Sequence, residues 1–123
     1  MTTETKATGF ASPAQGYEEQ GIDLNRLLIQ NPAATYFVRM ESGDMKELGL
    51  PQGSLLIVDR SKAHALNSFV LLRHEDQFLC RLLAKKNGKT VFTDGTTDIR
   101  PIPGETEIIG TITASIQTYD FPH

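Results

Sequence analysis

The chain of 123 residues has the length of one domain, and at this size it can bury most of its unfolded surface in one core. Its 39% hydrophobic and 22% charged residues are typical of a globular protein and exclude disorder throughout. The formal net charge of -3 provides no broad positive field, which excludes strong unspecific binding of nucleic acid by this chain alone.

The sequence predicts a cytoplasmic protein that does not span a membrane. Cys80 is the single cysteine, so no disulfide can form within the chain. Residues 1–10, MTTETKATGF, lack the basic start and the apolar run of a signal peptide. No apolar run approaches the roughly 20 residues that a transmembrane helix needs.

The N-terminal region predicts an arm followed by a short helix. Residues 1–20 are mostly small or polar and predict an extended arm, whereas residues 21–123 predict a single β-rich domain. Asp23 is suited to be the N-cap of the helix, and the helix should end before Asn31, which precedes a proline. The apolar residues at helical spacing are Leu24, Leu27 and Leu28.

Six short runs of β-forming residues follow, separated by turn residues, and they predict an antiparallel β-meander. The runs are Thr35 to Met40, Ser54 to Asp59, Phe69 to His74, Phe78 to Leu83, Thr90 to Thr93 and Glu107 to Thr118. Asn87 and Gly88 predict a type I′ hairpin turn, because both residues tolerate positive φ angles.

The last run predicts a long terminal strand with one apolar face and an open edge. Alternation places Ile108, Gly110, Ile112, Ala114 and Ile116 on one face, opposite a mostly polar face. An open edge has to be covered or paired with another chain, so we expect a homodimer or a partner complex.

The residues alone indicate neither a metal nor a cofactor nor a classical hydrolase site. The three histidines, His64, His74 and His123, are widely separated, and neither a phosphate-binding glycine loop nor a G-x-S-x-G motif is present. A basic stretch is open to two interpretations, a binding patch or solvated lysines beside a turn; it consists of Arg81, Lys85, Lys86 and Lys89.

A resemblance to a known family rests on a series of segments in order and at matching spacing. They are GFASPA from Gly9, YEEQ from Tyr17, IDLNRLLI from Ile22, ATYFV from Ala34 and GSLLIVD from Gly53. The chain closely resembles the UmuD branch of the LexA-type self-cleaving serine proteases, the peptidase S24 type, in its short processed form. The resemblance covers nearly the whole chain and is strongest over residues 9–59.

This resemblance implies a LexA/UmuD C-terminal-type fold of curved antiparallel sheets, an extended N-terminal arm and one short helix. It implies a role in the SOS response to DNA damage, in which a dimer joins a UmuC-like polymerase for error-prone translesion synthesis. A RecA filament and active UmuD/LexA-like relatives are further partners that it implies. Direct sequence-specific DNA binding is not expected, because no helix-turn-helix segment precedes the arm.

The catalytic residues implied by the resemblance are a serine in a Gly-Asp-Ser-Met run and a lysine base. Gapless alignment places Asp44 at the serine position and Arg81 at the lysine position. An arginine guanidinium stays charged and cannot take the serine proton, whereas a buried lysine can be neutral. We therefore expect a pseudoprotease with no catalytic residues, in which Asp44 and Arg81 form an ion pair. Alternatively, Asp44 only holds a Ser-Gly-Asp turn and Arg81 is a surface residue of a strand.

Two further interpretations stay open. A shifted register would make Ser42 the nucleophile of an active Ser-Lys self-protease, with Lys85 or Lys86 as base. Otherwise, the chain could be a regulator that forms mixed dimers with an active relative. Only Met1 to Thr8 precede the former cleavage bond, Thr8–Gly9, so little would remain to be removed.

Overall fold

The computed structural model describes residues 21–119. The chain divides into two compact units, Met1–Gln30 and Asn31–His123. In the first unit, helix α1 spans Leu24–Leu28, and the Asp23 side chain accepts hydrogen bonds from the backbone N–H groups of the first turn, as an N-cap does. The short helix and its N-cap are therefore confirmed, whereas the predicted arm over residues 1–20 lies outside the described residues. None of the helices in residues 21–119 has the length and apolar composition needed to cross a membrane.

The second unit is built on one antiparallel sheet of seven strands, which confirms the predicted fold class. The strands are β1 Thr35–Arg39, β2 Leu55–Asp59, β3 Phe69–His74, β4 Gln77–Lys86, β5 Lys89–Thr93, β6 Asp98–Ile99 and β7 Thr106–Ile116. All six predicted runs form strands, and only the two-residue β6 was missed. Asn87 and Gly88 have φ angles of 53° and 78°, so the hairpin turn predicted between β4 and β5 is also confirmed.

The order of the strands shows that the predicted β-meander is wrong. The order is β1-β2-β7-β3-β4-β5-β6, so the last strand lies between β2 and β3. Strands β3 to β6 follow each other as in a meander, and β1 and β2 are likewise consecutive neighbours, but β7 separates the two groups. Strand β7 is suited to a central position because Gly110, Thr111 and Ile112 are all buried, a run that a strand with one solvated face does not have.

The prediction that β7 has an open edge is correct for only part of the strand. Residues 106–111 pair with β3 and residues 111–116 pair with β2, so no described strand covers the β3 side of β7 after Thr111. A register shift between Leu71 and Leu72 also breaks the predicted alternation. As a result Ile109 packs in the same cluster as Ile112, whereas Ile108 packs in the other cluster.

The core consists of two apolar clusters on the opposite faces of the sheet, since Leu71 belongs to one cluster and its neighbours Val70 and Leu72 to the other. The buried members of the first cluster are Met40, Met45, Leu50, Leu56, Val58, Leu71, Cys80 and Ile112. Met45 and Leu50 come from the connection between β1 and β2. This connection is therefore packed into the core, which fixes the position of the candidate site.

Candidate functional site

The loop that follows β1 is held in place at both of its ends. The backbone of Met40 exchanges hydrogen bonds of 2.8 Å with Ser54 and Gly53, which precede β2. Met45 is fully buried in the first cluster and begins the 3₁₀ turn Lys46–Leu48. The residues between these anchors, 41–44, are thereby presented at the surface in a defined position.

Within this loop, Ser42 and Asp44 form a small turn. The Oγ atom of Ser42 accepts a hydrogen bond of 3.3 Å from the backbone N–H of Asp44, and Gly43 accepts one from the backbone of Lys46. Part of the alternative interpretation is therefore correct, since a Ser-Gly-Asp turn is present. The turn uses the backbone of Asp44 and leaves its carboxylate free to contact another element.

Arg81 lies in β4 and is only 8% exposed, so the interpretation of Arg81 as a surface residue is wrong. Its Nη1 atom donates a hydrogen bond of 2.8 Å to the carbonyl oxygen of Cys80, the preceding residue. Its Nε atom is buried and has no hydrogen-bond partner among residues 21–119. The guanidinium is thus withdrawn from water but only partly satisfied by the protein around it.

The predicted ion pair between Asp44 and Arg81 is confirmed. Oδ2 of Asp44 lies 3.6 Å from Nη2 of Arg81. The arginine side chain is 10% exposed and the aspartate side chain 49% exposed, so water screens the pair on one side only. Because the distance exceeds that of a charge-assisted hydrogen bond, the contact is an ion pair without a close N–H···O bond.

A shallow pocket of about 430 Å³ adjoins the pair, between residues 38–42 and residues 78–81. Its walls combine apolar side chains with Ser42, Asp44 and Arg81. Cys80 also lines the pocket, and burial raises the pKa of its thiol to about 12, although the nearby Arg81 acts in the opposite direction. The thiol therefore stays protonated near neutral pH and is not an activated nucleophile.

The other candidate residues do not join this cluster. Lys85 and Lys86 are exposed further along β4, and Lys86 Nζ lies 2.8 Å from Asp98 Oδ2. At about 3.3 Å per residue, Lys85 is roughly 13 Å along the strand from Arg81. The bond predicted to be the former cleavage bond, Thr8–Gly9, lies outside the described residues. Within residues 21–119, no three histidine, cysteine or acidic side chains are close enough together to hold a metal ion.

A seven-stranded antiparallel domain, with a pocket of mixed polar and apolar lining between the loop after β1 and strand β4, defines a protein of the LexA/UmuD fold type. The profile of the family described as Peptidase S24-like matches residues 2–113. The chain belongs to this family.

Comparison with known proteins agrees with this assignment. Protein SamA of Salmonella typhimurium is 35% identical over 116 residues, which cover 94% of this chain and 83% of SamA. Protein ImpA of Escherichia coli is 39% identical over 75 residues, which cover 61% of this chain and 52% of ImpA. Protein MucA of Escherichia coli is 36% identical over 77 residues, which cover 63% and 53%. The match thus spans about half the length of ImpA and of MucA.

The contribution of Cys80 to the site was not predicted from the sequence. Its carbonyl oxygen is the hydrogen-bond partner of Arg81, and its side chain lines the pocket. The available signal was its position beside Arg81 in a predicted strand. That signal was insufficient, because adjacent residues of a strand point to opposite faces and rarely share one site.

Proposed function

We propose that this protein is a catalytically inactive, UmuD-like accessory subunit for SOS-induced, error-prone translesion synthesis. It acts in the cytoplasm as a homodimer and binds a UmuC-like polymerase of the Y family. It does not cut its own chain and needs no processing before it joins its partner. Membership of the Peptidase S24-like family and the similarity to SamA, MucA and ImpA support the general assignment.

The contact between Asp44 and Arg81 carries the proposal of inactivity. The resemblance of the sequence to the family implies that these residues stand at the positions of nucleophile and base, and their side chains lie 3.6 Å apart in the structure. A carboxylate at the first position offers no hydroxyl to attack an amide, and a guanidinium at the second cannot accept a proton. An ion pair in place of the two reactive groups is compatible with a binding function but not with Ser-Lys catalysis.

The free part of β7 supports the proposal of a dimer. Among the described residues, this strand is paired only on its β2 side after Thr111, so five residues, Ile112–Ile116, present an unpaired edge on the other side. A second copy could pair along this edge and bury it, as open strands require. The dimer then offers a UmuC-like polymerase two equivalent surfaces.

Intact-mass measurement tests the absence of self-cleavage. The purified protein is incubated at mildly alkaline pH and, separately, with RecA filaments and nucleotide, since both conditions favour cleavage in active relatives. We expect an unchanged mass under both conditions. Loss of Met1 to Thr8 would contradict the proposal and would favour the shifted register with Ser42 as nucleophile.

Co-purification with a UmuC-like polymerase tests the binding function. We expect the tagged protein to retain the polymerase without RecA, because no processing step should be needed. A correctly folded dimer that fails to retain the polymerase would contradict the accessory role.

A second candidate function is a regulator that forms mixed dimers with an active UmuD- or LexA-like protein. The free edge of β7 favours it, since this edge could equally pair with the corresponding strand of a relative. Co-expression with such a relative, followed by native mass measurement, separates the two functions. Mixed dimers with altered cleavage of the relative indicate the regulator, and homodimers alone indicate the polymerase subunit.

A further inference from the structure

Strand β4 has a free edge next to the Asp44–Arg81 pair. Residues Gln77–Leu82 pair with β3 on one side, but β5 pairs only with residues Leu82–Lys86 on the other side. Within residues 21–119, the first half of β4 therefore has no neighbouring strand on its β5 side. An unpaired strand edge is a template on which another chain can add a strand.

The backbone groups that face this free edge can be identified from Leu83. Its N–H donates to Ser68 and its carbonyl accepts from Asn67, so both of its backbone groups point to the β3 side. Because backbone groups alternate in direction along an antiparallel strand, those of Cys80 and Phe78 point to the opposite, unpaired side. The pocket of about 430 Å³ lies beside these residues, and Phe78 is 66% exposed. Another strand therefore has room to approach this edge.

The side chain of Arg81 forms a hydrogen bond with the acceptor at the centre of this edge, the carbonyl oxygen of Cys80. Its guanidinium turns back along its own strand, and Nη1 donates to the Cys80 carbonyl at 2.8 Å. Asp44 contacts the same guanidinium from the loop after β1, at 3.6 Å from Nη2. An added strand would need the Cys80 carbonyl for its own N–H group, and it would also have to displace a buried charge from its partners.

We infer that Arg81 blocks the free edge of β4 against strand addition, and that Asp44 holds the guanidinium in the blocking position. Self-association through this edge of β4 is thereby disfavoured. This role is separate from the loss of catalysis and does not depend on whether the protein joins a polymerase. A charged side chain directed at an edge is one of the ways in which natural sheets avoid unwanted pairing.

Sedimentation velocity of the full chain at several concentrations tests this inference with the variant Arg81→Met. Methionine retains apolar volume but has no donor, so the Cys80 carbonyl becomes free. We expect self-association beyond that of the unmodified protein, with an association constant raised by about tenfold, the change expected for one or two hydrogen bonds. The matched control is Lys86→Ala, which removes a cation and an ion pair from the same strand where β5 covers it. It should associate like the unmodified protein.

A second substitution identifies the edge that is used. Adding Phe78→Lys to Arg81→Met places a charge on the exposed edge and should restore the original association. Equal association of Arg81→Met and Lys86→Ala, or no reversal by Phe78→Lys, would overturn the inference. If circular dichroism shows that Arg81→Met does not fold, the variant Asp44→Asn replaces it in the sedimentation experiment. This variant releases the guanidinium only partly, so it should raise association to a smaller extent, and unchanged association would overturn the inference.

Discussion

The guanidinium of Arg81 and the carboxylate of Asp44 lie 3.6 Å apart, while Nε of the same arginine has no hydrogen-bond partner within residues 21–119. The arginine is buried and the aspartate is about half exposed. The pair therefore resembles neither a fully exposed ion pair, which contributes little, nor a buried one, which is costly to break.

A double-mutant cycle measures the contribution of this pair to folding. With Asp44→Ala and Arg81→Met, we expect a coupling free energy of about 0.5–1 kcal/mol, since water screens the exposed aspartate. Urea unfolding of the four proteins gives this value, and added salt should reduce it. A coupling of zero at low salt would mean that the contact does not stabilise the fold.

Introducing a serine at position 44 and a lysine at position 81 should produce a slow self-cleaving protein, if Asp44 and Arg81 stand at the nucleophile and base positions as proposed. Asp44→Ser supplies a hydroxyl, and Arg81→Lys supplies an amine that burial can make neutral, because the side chain at this position is only 10% exposed. We expect intact mass to show loss of Met1 to Thr8 from the double variant at alkaline pH. Either single variant should be inactive, since nucleophile and base act as a unit. Cleavage by Asp44→Ser alone would contradict the assignment of Arg81 to the base position.

Gly110 marks a close approach between β7 and β2. A Cβ atom at this position would lie 2.7 Å from Cγ1 of Val58 and 3.1 Å from the backbone oxygen of Asp59. Gly110→Ala should therefore lower the free energy of unfolding by about 1–3 kcal/mol through overpacking. Gly43→Ala is the matched control, because nothing lies within 4 Å of its added Cβ. Equal stability of the two variants would mean that the β7–β2 contact relaxes easily.

Asp59 should make the fold sensitive to acid. Hydrogen bonds from the Asn31 and Ser61 side chains lower the pKa of its carboxyl from 3.8 to about 2. Because the folded-state pKa is the lower one, this stabilisation is present above about pH 4 and is lost as the pH falls toward 2. The backbone N–H groups of its turn also lower the pKa of Asp94, so its protonation in acid should likewise reduce the free energy of unfolding.

The variant Asn31→Ala tests the contribution of Asp59 to acid sensitivity, because it removes the hydrogen bond that lowers the pKa of Asp59 most. The free energy of unfolding, measured between pH 4 and pH 2, should depend less on pH in this variant. Gln52→Ala, which removes a side-chain hydrogen bond to the Glu41 carbonyl, serves as control and should retain the original slope. An identical slope for Asn31→Ala would show that Asn31 does not hold the carboxylate.

Cys80 should resist alkylation in the folded protein. Burial raises the pKa of its thiol to about 12, so little thiolate is present at pH 8. Its reaction with iodoacetamide should be much slower in the native protein than in urea. Equal rates would indicate that the pocket opens readily to solvent.

The local elements of this fold follow from short-range chemistry and were predicted from it. Asp23 caps the helix through its own carboxylate, and Asn87 and Gly88 form a turn that demands positive φ angles. Each signal lies within a few residues of the structure it specifies. The position of β7 could not be predicted in this way, because its ladder with β2 joins residues more than fifty positions apart and alternation does not identify the neighbouring strand.

For the site, the sequence by itself determined that an aspartate stands at position 44 and an arginine at position 81, and with them the charges that meet there. That Asp44 and Arg81 touch was a hypothesis until the fold placed the loop after β1 against β4. Only the tertiary structure decided that Arg81 is buried and bonded to the Cys80 carbonyl, and that Lys86 pairs elsewhere. The physical reason is that burial and hydrogen bonding depend on which elements pack together, whereas the chemistry of a side chain is already set by its residue type.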